Sequence, residues 1–236
     1  TTQTIHKLKC QLPPMQATYV QRLRVTFSKF GATRYISHLD TARTWERALN
    51  RAKLPVTYSQ GFNRRPKIQF ATATPLGMTS ECELMDVFFD ERIEPAEAHT
   101  RMMSKMAPGI ELLDVIEVPT SGDSLQSITR ETTYIAELDP DLITFDQLQE
   151  RITTMLTAAE LPRERKVKRK IKTYDLRPLI LDLHAQPLED GISQLTMRLV
   201  LEPSKTGRPD EVLREIGVDP LDVRMHRVEI VLADEE

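Results

Sequence analysis

The sequence predicts an α+β protein of two tandem ferredoxin-like (βαββαβ) domains, and three observations carry that expectation. First, Arg22 to Ser28 alternates strictly between apolar and polar residues, the period of a half-buried strand. Second, the order strand, helix, strand, strand, helix, strand can be read twice along the chain. Third, a polar stretch separates the two readings, with Pro119, Ser121, Gly122, Asp123 and Ser124 in the composition of a connecting segment. A length of 236 residues accommodates two small cores. The expected organisation is therefore a tail over 1–18, a first domain over 19–119, a linker over 120–128 and a second domain over 129–236.

The first strand places Leu23, Val25 and Phe27 on one face and Arg22, Arg24, Thr26 and Ser28 on the other. After a loop containing Gly31, Ser37 and Asp40 have the spacing of a capping box and open a helix. Its apolar stripe is Leu39, Ala42, Trp45, Leu49 and Ala52, with Arg43, Arg47 and Arg51 recurring every four residues on a neighbouring face. Pro55 ends the helix, and the loop Tyr58 to Pro66 leads to a short strand over Lys67 to Thr72. Pro75-Leu76-Gly77 turns the chain into a strand from about Cys82 to Phe89. A helix from Pro95 through Met106 and a strand from Ile110 to Val118 complete the first set. The second set comprises a strand at Thr132 to Leu138 and a helix carrying Phe145, Leu148, Ile152, Met155 and Ala159. Strands near 167–184 and 194–202, a helix from Pro209 to Ile216 and a strand from Val223 to Leu232 follow.

Composition narrows the function classes. Hydrophobic residues at 40% against charged residues at 28% are those of a folded chain rather than a disordered one. No run resembles a signal peptide or approaches the roughly 20 apolar residues of a membrane span, so the cytoplasm is the expected location. The two cysteines, Cys10 and Cys82, cannot supply a disulfide framework, nor the CxxxCxxC of an autonomous radical enzyme. The eight glycines never take the spacing of a phosphate-binding loop or a dinucleotide fingerprint, so no cofactor is expected. His6, His99, His184 and His226 show no metal-ligand spacing, and no metal is expected.

The net charge of -3 conceals an asymmetry. Residues 20 to 67 hold eleven Lys and Arg against Asp40 and Glu46, a local excess of about +9, whereas residues 68 to 119 hold three against ten acids. Such a concentration is the footprint of a polyanion-binding surface. Its expected members are Arg43, Arg47, Arg51, Arg64, Arg65 and Lys67, although the same residues would also serve as a solvated helix face. Tyr58 and Phe62 border the loop and could either stack on bases or pin it to the core. A second run, Arg163 to Lys172, reads equally as an anion contact or as an edge strand guarded by lysines.

The motifs Ser37-His38-Leu39-Asp40, Tyr58-Ser59-Gln60-Gly61-Phe62-Asn63, Pro66-Lys67-Ile68, Pro75-Leu76-Gly77 and Tyr174-Asp175-Leu176-Arg177-Pro178 together resemble the bacterial radical SAM-linked protein family, a domain of unknown function. The resemblance runs from about residue 20 to about residue 230. It implies an accessory role beside a cobalamin-binding radical SAM protein, and the neighbourhood of such proteins implies RNA or a ribonucleoprotein as the other partner. Where that family pattern has Pro-His before Pro66, this chain has Arg64-Arg65, which favours anion contact over acid–base or metal chemistry in the loop. A fainter similarity connects the chain to the RNA-processing endoribonucleases of CRISPR systems, which also pair two ferredoxin-like domains. Their glycine-rich loop has its nearest approach here in Ser204-Lys205-Thr206-Gly207-Arg208.

Two further candidates follow. His38, beside Ser37 and Asp40 at the helix start, is the candidate acid–base residue, in the alternative that the chain is an endoribonuclease or RNA-modifying enzyme. Asp175 and Arg177 are either ligand contacts or an ion pair at the domain junction. A third reading makes the chain a protein–protein adaptor for the radical SAM enzyme.

Overall fold

The computed structural model describes residues 19–60, 62–167 and 170–233. The expected tail 1–18, with Cys10 and His6, lies outside the described residues, as do Gly61, Lys168 and Arg169.

The first strand, β1 (Gln21–Lys29), follows the alternation, with Leu23, Val25 and Phe27 buried against Trp45 and Phe70. Helix α1 (His38–Ala52) starts where Ser37 Oγ accepts the Asp40 amide at 3.2 Å and donates to the Asp40 carboxylate at 2.7 Å. It stops at Lys53, whose φ of 51° is left-handed. Strand β2 (Ile68–Phe70) is shorter than expected, and β3 (Thr79–Phe89) starts three residues before Cys82. Helix α2 (Pro95–Met103) ends before Met106. Gly109, with φ of 88°, leads into β4 (Ile110–Val118); a Cβ there would fall 2.7 Å from the Phe30 carbonyl oxygen, so only glycine fits.

The second half repeats the pattern with one addition. Strand β5 (Thr129–Leu138) precedes α3 (Phe145–Thr157), which opens with a complete capping box between Thr144 and Gln147. The region expected as one strand over 167–184 is three: β6 (Pro162–Val167) and β7 (Lys170–Asp175) form a separate hairpin, and β8 (Ile180–Pro187) joins the main sheet. The break falls at Leu176, whose backbone leaves the strand and opens a short 3-10 turn over Arg177–Leu179. Strand β9 (Ser193–Val200), helix α4 (Pro209–Ile216) and strand β10 (Arg224–Leu232) follow as expected, with Gly217 closing α4 at φ 95°.

One eight-stranded mixed sheet runs through both halves in the order β4-β1-β3-β10-β5-β9-β8, with β2 also paired to β3. Every pairing is antiparallel except β10 with β3, a parallel join of two residue pairs, His226 with Thr79 and Arg227 with Ser80. Two large apolar cores result, one around Leu23, Trp45 and Met85 and one around Leu138, Leu148 and Met197. Helices α1 and α2 contribute to the first, α3 and α4 to the second.

The polar face of β1 is not solvated. Arg22 and Arg24 are 4% and 7% exposed, because both guanidiniums grip the fully buried Asp86 of β3. The connecting segment 120–128 lies over this side: Arg22 also donates to the Asp123 carbonyl at 3.3 Å, and Leu125 and Ile128 are buried with Ala71 and partly buried Leu84 and Leu232. At the join of the two halves, Arg227 donates to Glu83 at 2.8 Å and to the Tyr134 hydroxyl at 2.7 Å, all three buried. Lys29 is buried nearby, and that burial holds its ammonium below the ordinary lysine range.

Candidate nucleic-acid interface

The basic residues of 20–67, which include the expected set, divide into three groups. Arg22, Arg24 and Lys29 contribute to the sequence excess but are buried, so the surface is less positive than the sequence count. Lys67 leaves the set too. Its side chain points away from α1, with Nζ 4.1 Å from the Tyr19 ring centroid and 4.5 Å from that of Phe88, and burial lowers its pKa. The reason is the strand period: Ile68 and Phe70 face the core under α1, so the residue preceding Ile68 faces the other way.

The remaining members stand on α1 and the loop after it. Arg43 is 3.1 Å from Asp40, whose carboxyl is held below the usual range by the Ser37 hydroxyl first and by Arg43 second. Arg51 donates to the Lys105 carbonyl at 2.6 Å, tying α1 to the end of α2. Arg65 lies 3.8 Å from Glu46. Arg47 and Arg64 are exposed and make no ion pair among the described residues.

The loop is pinned at both ends: Ser59 N donates to the Arg65 carbonyl at 2.8 Å, and Arg65 N to Ser59 Oγ at 3.1 Å. Tyr58 is structural, packed on the first core with its hydroxyl donating to Asn50 of α1. Phe62 is the opposite case, fully exposed at 109% between the pinned ends and two residues from Arg64. The two aromatic residues, equivalent in sequence, therefore separate into a tether and a projecting ring.

His38 is exposed at the start of α1, its ring edge-on to Phe70 with centroids 5.2 Å apart. The Ser37 hydroxyl and the Asp40 carboxylate beside it are engaged with each other rather than with the imidazole. Asp175 and Arg177 are not an ion pair and do not lie at the join of the halves. Asp175 Oδ1 accepts the amides of Leu161 and Arg177 at 2.8 and 3.0 Å, while the Arg177 guanidinium donates to the carbonyls of Leu156 and Ile180. This arrangement anchors the break between β7 and β8 to the end of α3, which the tetrapeptide alone does not reveal because its partners are backbone atoms.

The sequence reading missed a cleft of about 570 Å³ in the second half, where β6 and β7 face the loop Ser204 to Arg208. Arg165, Lys172, Lys205 and Arg208 line it. Its sequence signals were present separately, in the basic run and in Ser204-Lys205-Thr206-Gly207-Arg208, without the sheet topology that joins them. Among the described residues no three His, Cys, Asp or Glu side chains stand close enough to hold a metal. No described helix is long and apolar enough to cross a membrane.

No curated protein is detectably similar in sequence. The chain is similar in structure to part of a crystal structure of a Cbf5-Nop10-Gar1 complex, at 10% identity and a TM-score of 0.46, over 88% of this chain and 48% of that one. A crystal structure of the archaeal box H/ACA sRNP Nop10-Cbf5 complex gives 9% identity and a TM-score of 0.41, over 92% and 50%. The chain thus spans about half the length of these two. A putative glycine cleavage system transcriptional repressor gives 10% identity and a TM-score of 0.23, over 90% and 98%. The family model for "uncharacterized protein conserved in bacteria (DUF2344)" matches residues 22–209, which takes in β1 from Arg22 onward, α1, the exposed loop and the cleft, and the chain belongs to that family.

Proposed function

We propose that the chain is an accessory protein, without catalysis of its own, that binds RNA or a ribonucleoprotein through α1 and the loop after it and works in the cytoplasm beside a cobalamin-binding radical SAM protein. The observation that carries the RNA part is the combination at the loop: Arg47 and Arg64 exposed and in no ion pair among the described residues, Arg43 and Arg65 held only by exposed or long ion pairs, and Phe62 projecting fully into solvent. Arginines offer paired donors to phosphate, and a free aromatic ring offers a face to any unstacked base. The radical SAM part rests on the motifs Ser37 to Asp40, Tyr58 to Asn63 and Tyr174 to Pro178. The reading takes the two halves, 19–119 and 129–236, as ferredoxin-like domains; the orders β4-β1-β3-β2 and β10-β5-β9-β8, each fully antiparallel, support this.

Filter binding with a structured RNA across about 50 to 200 mM salt tests the interface. Four phosphate contacts give a slope of log affinity against log salt of about −3. Reversing Arg47 and Arg64 to Glu flattens the slope, and Phe62→Ala weakens binding by about 1–3 kcal/mol if the ring stacks. No binding, or binding indifferent to salt, overturns the RNA reading. Copurification of the radical SAM partner after nuclease treatment, lost on the same reversal, would make this surface a protein contact instead.

A further inference from the structure

The cleft between the β6–β7 hairpin and the Ser204–Arg208 loop has a construction of its own. Arg165 and Lys172 stand on paired positions of the hairpin and form one wall. The opposite wall is a tight turn in which Lys205 N donates to the Glu202 carbonyl and Glu202 N to the Lys205 carbonyl, so that Ser204, Lys205 and Thr206 are displayed at its tip. Gly207 seats that turn. A Cβ at this position would fall 2.6 Å from the Leu179 carbonyl oxygen and 2.9 Å from Leu199 Cβ, so the loop backbone lies directly on the 3-10 turn that follows β7. Tyr174, Pro178 and Leu179 supply the apolar floor.

The charges inside do not cancel. Arg208 is held bidentately by Asp210 at 2.9 and 2.8 Å, and the Asp175 carboxylate is engaged by two backbone amides. Nearby Glu211 and Glu215 are taken by Arg163, each at 3.0 Å. Arg165, Lys172 and Lys205 remain, converging on one cavity with no ion pair among the described residues. Three cations without ion pairs among the described residues, set against the single Asp175 carboxylate, over an aromatic and aliphatic floor with the Ser204 and Thr206 hydroxyls at the rim, match an anionic head on a planar body. The volume of about 570 Å³ falls within the roughly 300–1,000 Å³ of small-molecule sites.

We infer that this cleft binds a phosphate-bearing small molecule of the nucleoside-phosphate class, with its phosphates on Lys172, Lys205 and Arg165 and its ring over Tyr174. The site is separate from the loop proposed for RNA and does not depend on that reading.

Isothermal titration of the full chain with ADP, adenosine and inorganic phosphate tests it. ADP is expected to bind saturably, at least tenfold more tightly than phosphate, and adenosine more weakly than ADP. Lys172→Ala with Lys205→Ala, both at exposed positions, should weaken ADP at least tenfold, whereas Arg47→Glu with Arg64→Glu should leave it unchanged. Amide chemical-shift mapping gives a second readout that needs no variant: shifts on ADP addition should centre on Thr173, Tyr174 and residues 204–208. Absence of saturable ADP binding at millimolar concentration overturns the inference. So does ADP binding indifferent to the lysine changes, or shifts confined to α1 and its loop. Should the lysine pair lower RNA affinity while ADP fails to bind, the cleft is part of a polynucleotide surface and the small-molecule inference falls. RNA binding that fails while ADP binding persists removes only the proposed function.

Discussion

Strands β1 and β3 of the first half bury Arg22, Arg24, Lys29, Glu83 and Asp86, whereas their counterparts β5 and β9 bury Tyr134, Ala136, Leu138, Leu195, Met197 and Leu199 with a few threonines and a serine. The pairing is the same in both, antiparallel and central in its half of the sheet. What differs is the second face. In the first half the segment 120–128 covers it, sealing the arginines from water and obliging Asp86 to answer both. In the second half the face stays open, and Arg198 of β9 stands 3.8 Å from Glu131 with half its side chain exposed. One strand order thus hosts two electrostatic regimes, and the decision between them lies in a connecting segment rather than in the strands.

The largest effect that would break this contrast is at Asp86. Asp86→Asn removes the buried carboxylate that both guanidiniums share, and breaking a buried pair from one side costs about 3–5 kcal/mol. Glu131→Gln in the open face should cost less than about 1 kcal/mol. Urea unfolding of both variants compares them directly, and similar losses would erase the distinction between a sealed and an open face.

Next in size is the cover itself. Leu125, on the side of the segment that meets the sheet, is fully buried, so Leu125→Ala should cost about 2–4 kcal/mol by the same measurement. A loss well under 1 kcal/mol would mean that the segment merely rests on the sheet, and the burial of Arg22 would need another cause. Combining Leu125→Ala with Asp86→Asn sharpen the point: if the cover is what isolates the arginines, the two losses add to less than their sum, because water admitted by the first relieves the second.

These features explain how far the sequence could be read. The alternation in β1 and the caps of α1 are local, and the strands and helices they foretell are present. Arg22 and Arg24 were legible as one face but not as buried, because Asp86 is supplied by a different strand and the cover by a third segment. Residues 120–128 carry the composition of a free connection, and only Leu125 and Ile128 hint at packing. The parallel join of β10 to β3 rests on two residue pairs and has no pattern of its own. At the candidate interface, Arg47 and Arg64 were recoverable from helix period and loop composition. The divergence of Tyr58 from Phe62, and of Lys67 from the arginines, required knowing which face of β2 meets the core. The cleft is not legible in the sequence because its walls come from an inserted hairpin and a loop that only the sheet order brings together.

The smallest effect reads the join between the halves. Cys82 sits on β3 beside it, with Sγ 3.7 Å from the Arg227 carbonyl, and burial pushes its thiol from 9.0 up to about 12. At pH 8 such a shift lowers the reactive thiolate fraction by about a thousandfold relative to a thiol at 9.0. In a Cys10→Ser background, where Cys82 is the sole cysteine, a disulfide reagent should therefore react slowly with the native protein and rapidly in urea. The sign for stability follows from the same shift. Between pH 9 and about 12 the folded chain holds a proton that the unfolded chain releases, so the Cys82 contribution is complete below pH 9 and is lost as pH rises toward 12. Cys82→Ser should remove that part of the alkaline decline. Fast labelling under native conditions would show the join opening on its own, and the two halves would then be partners resting side by side rather than one sheet with a sealed and an open end.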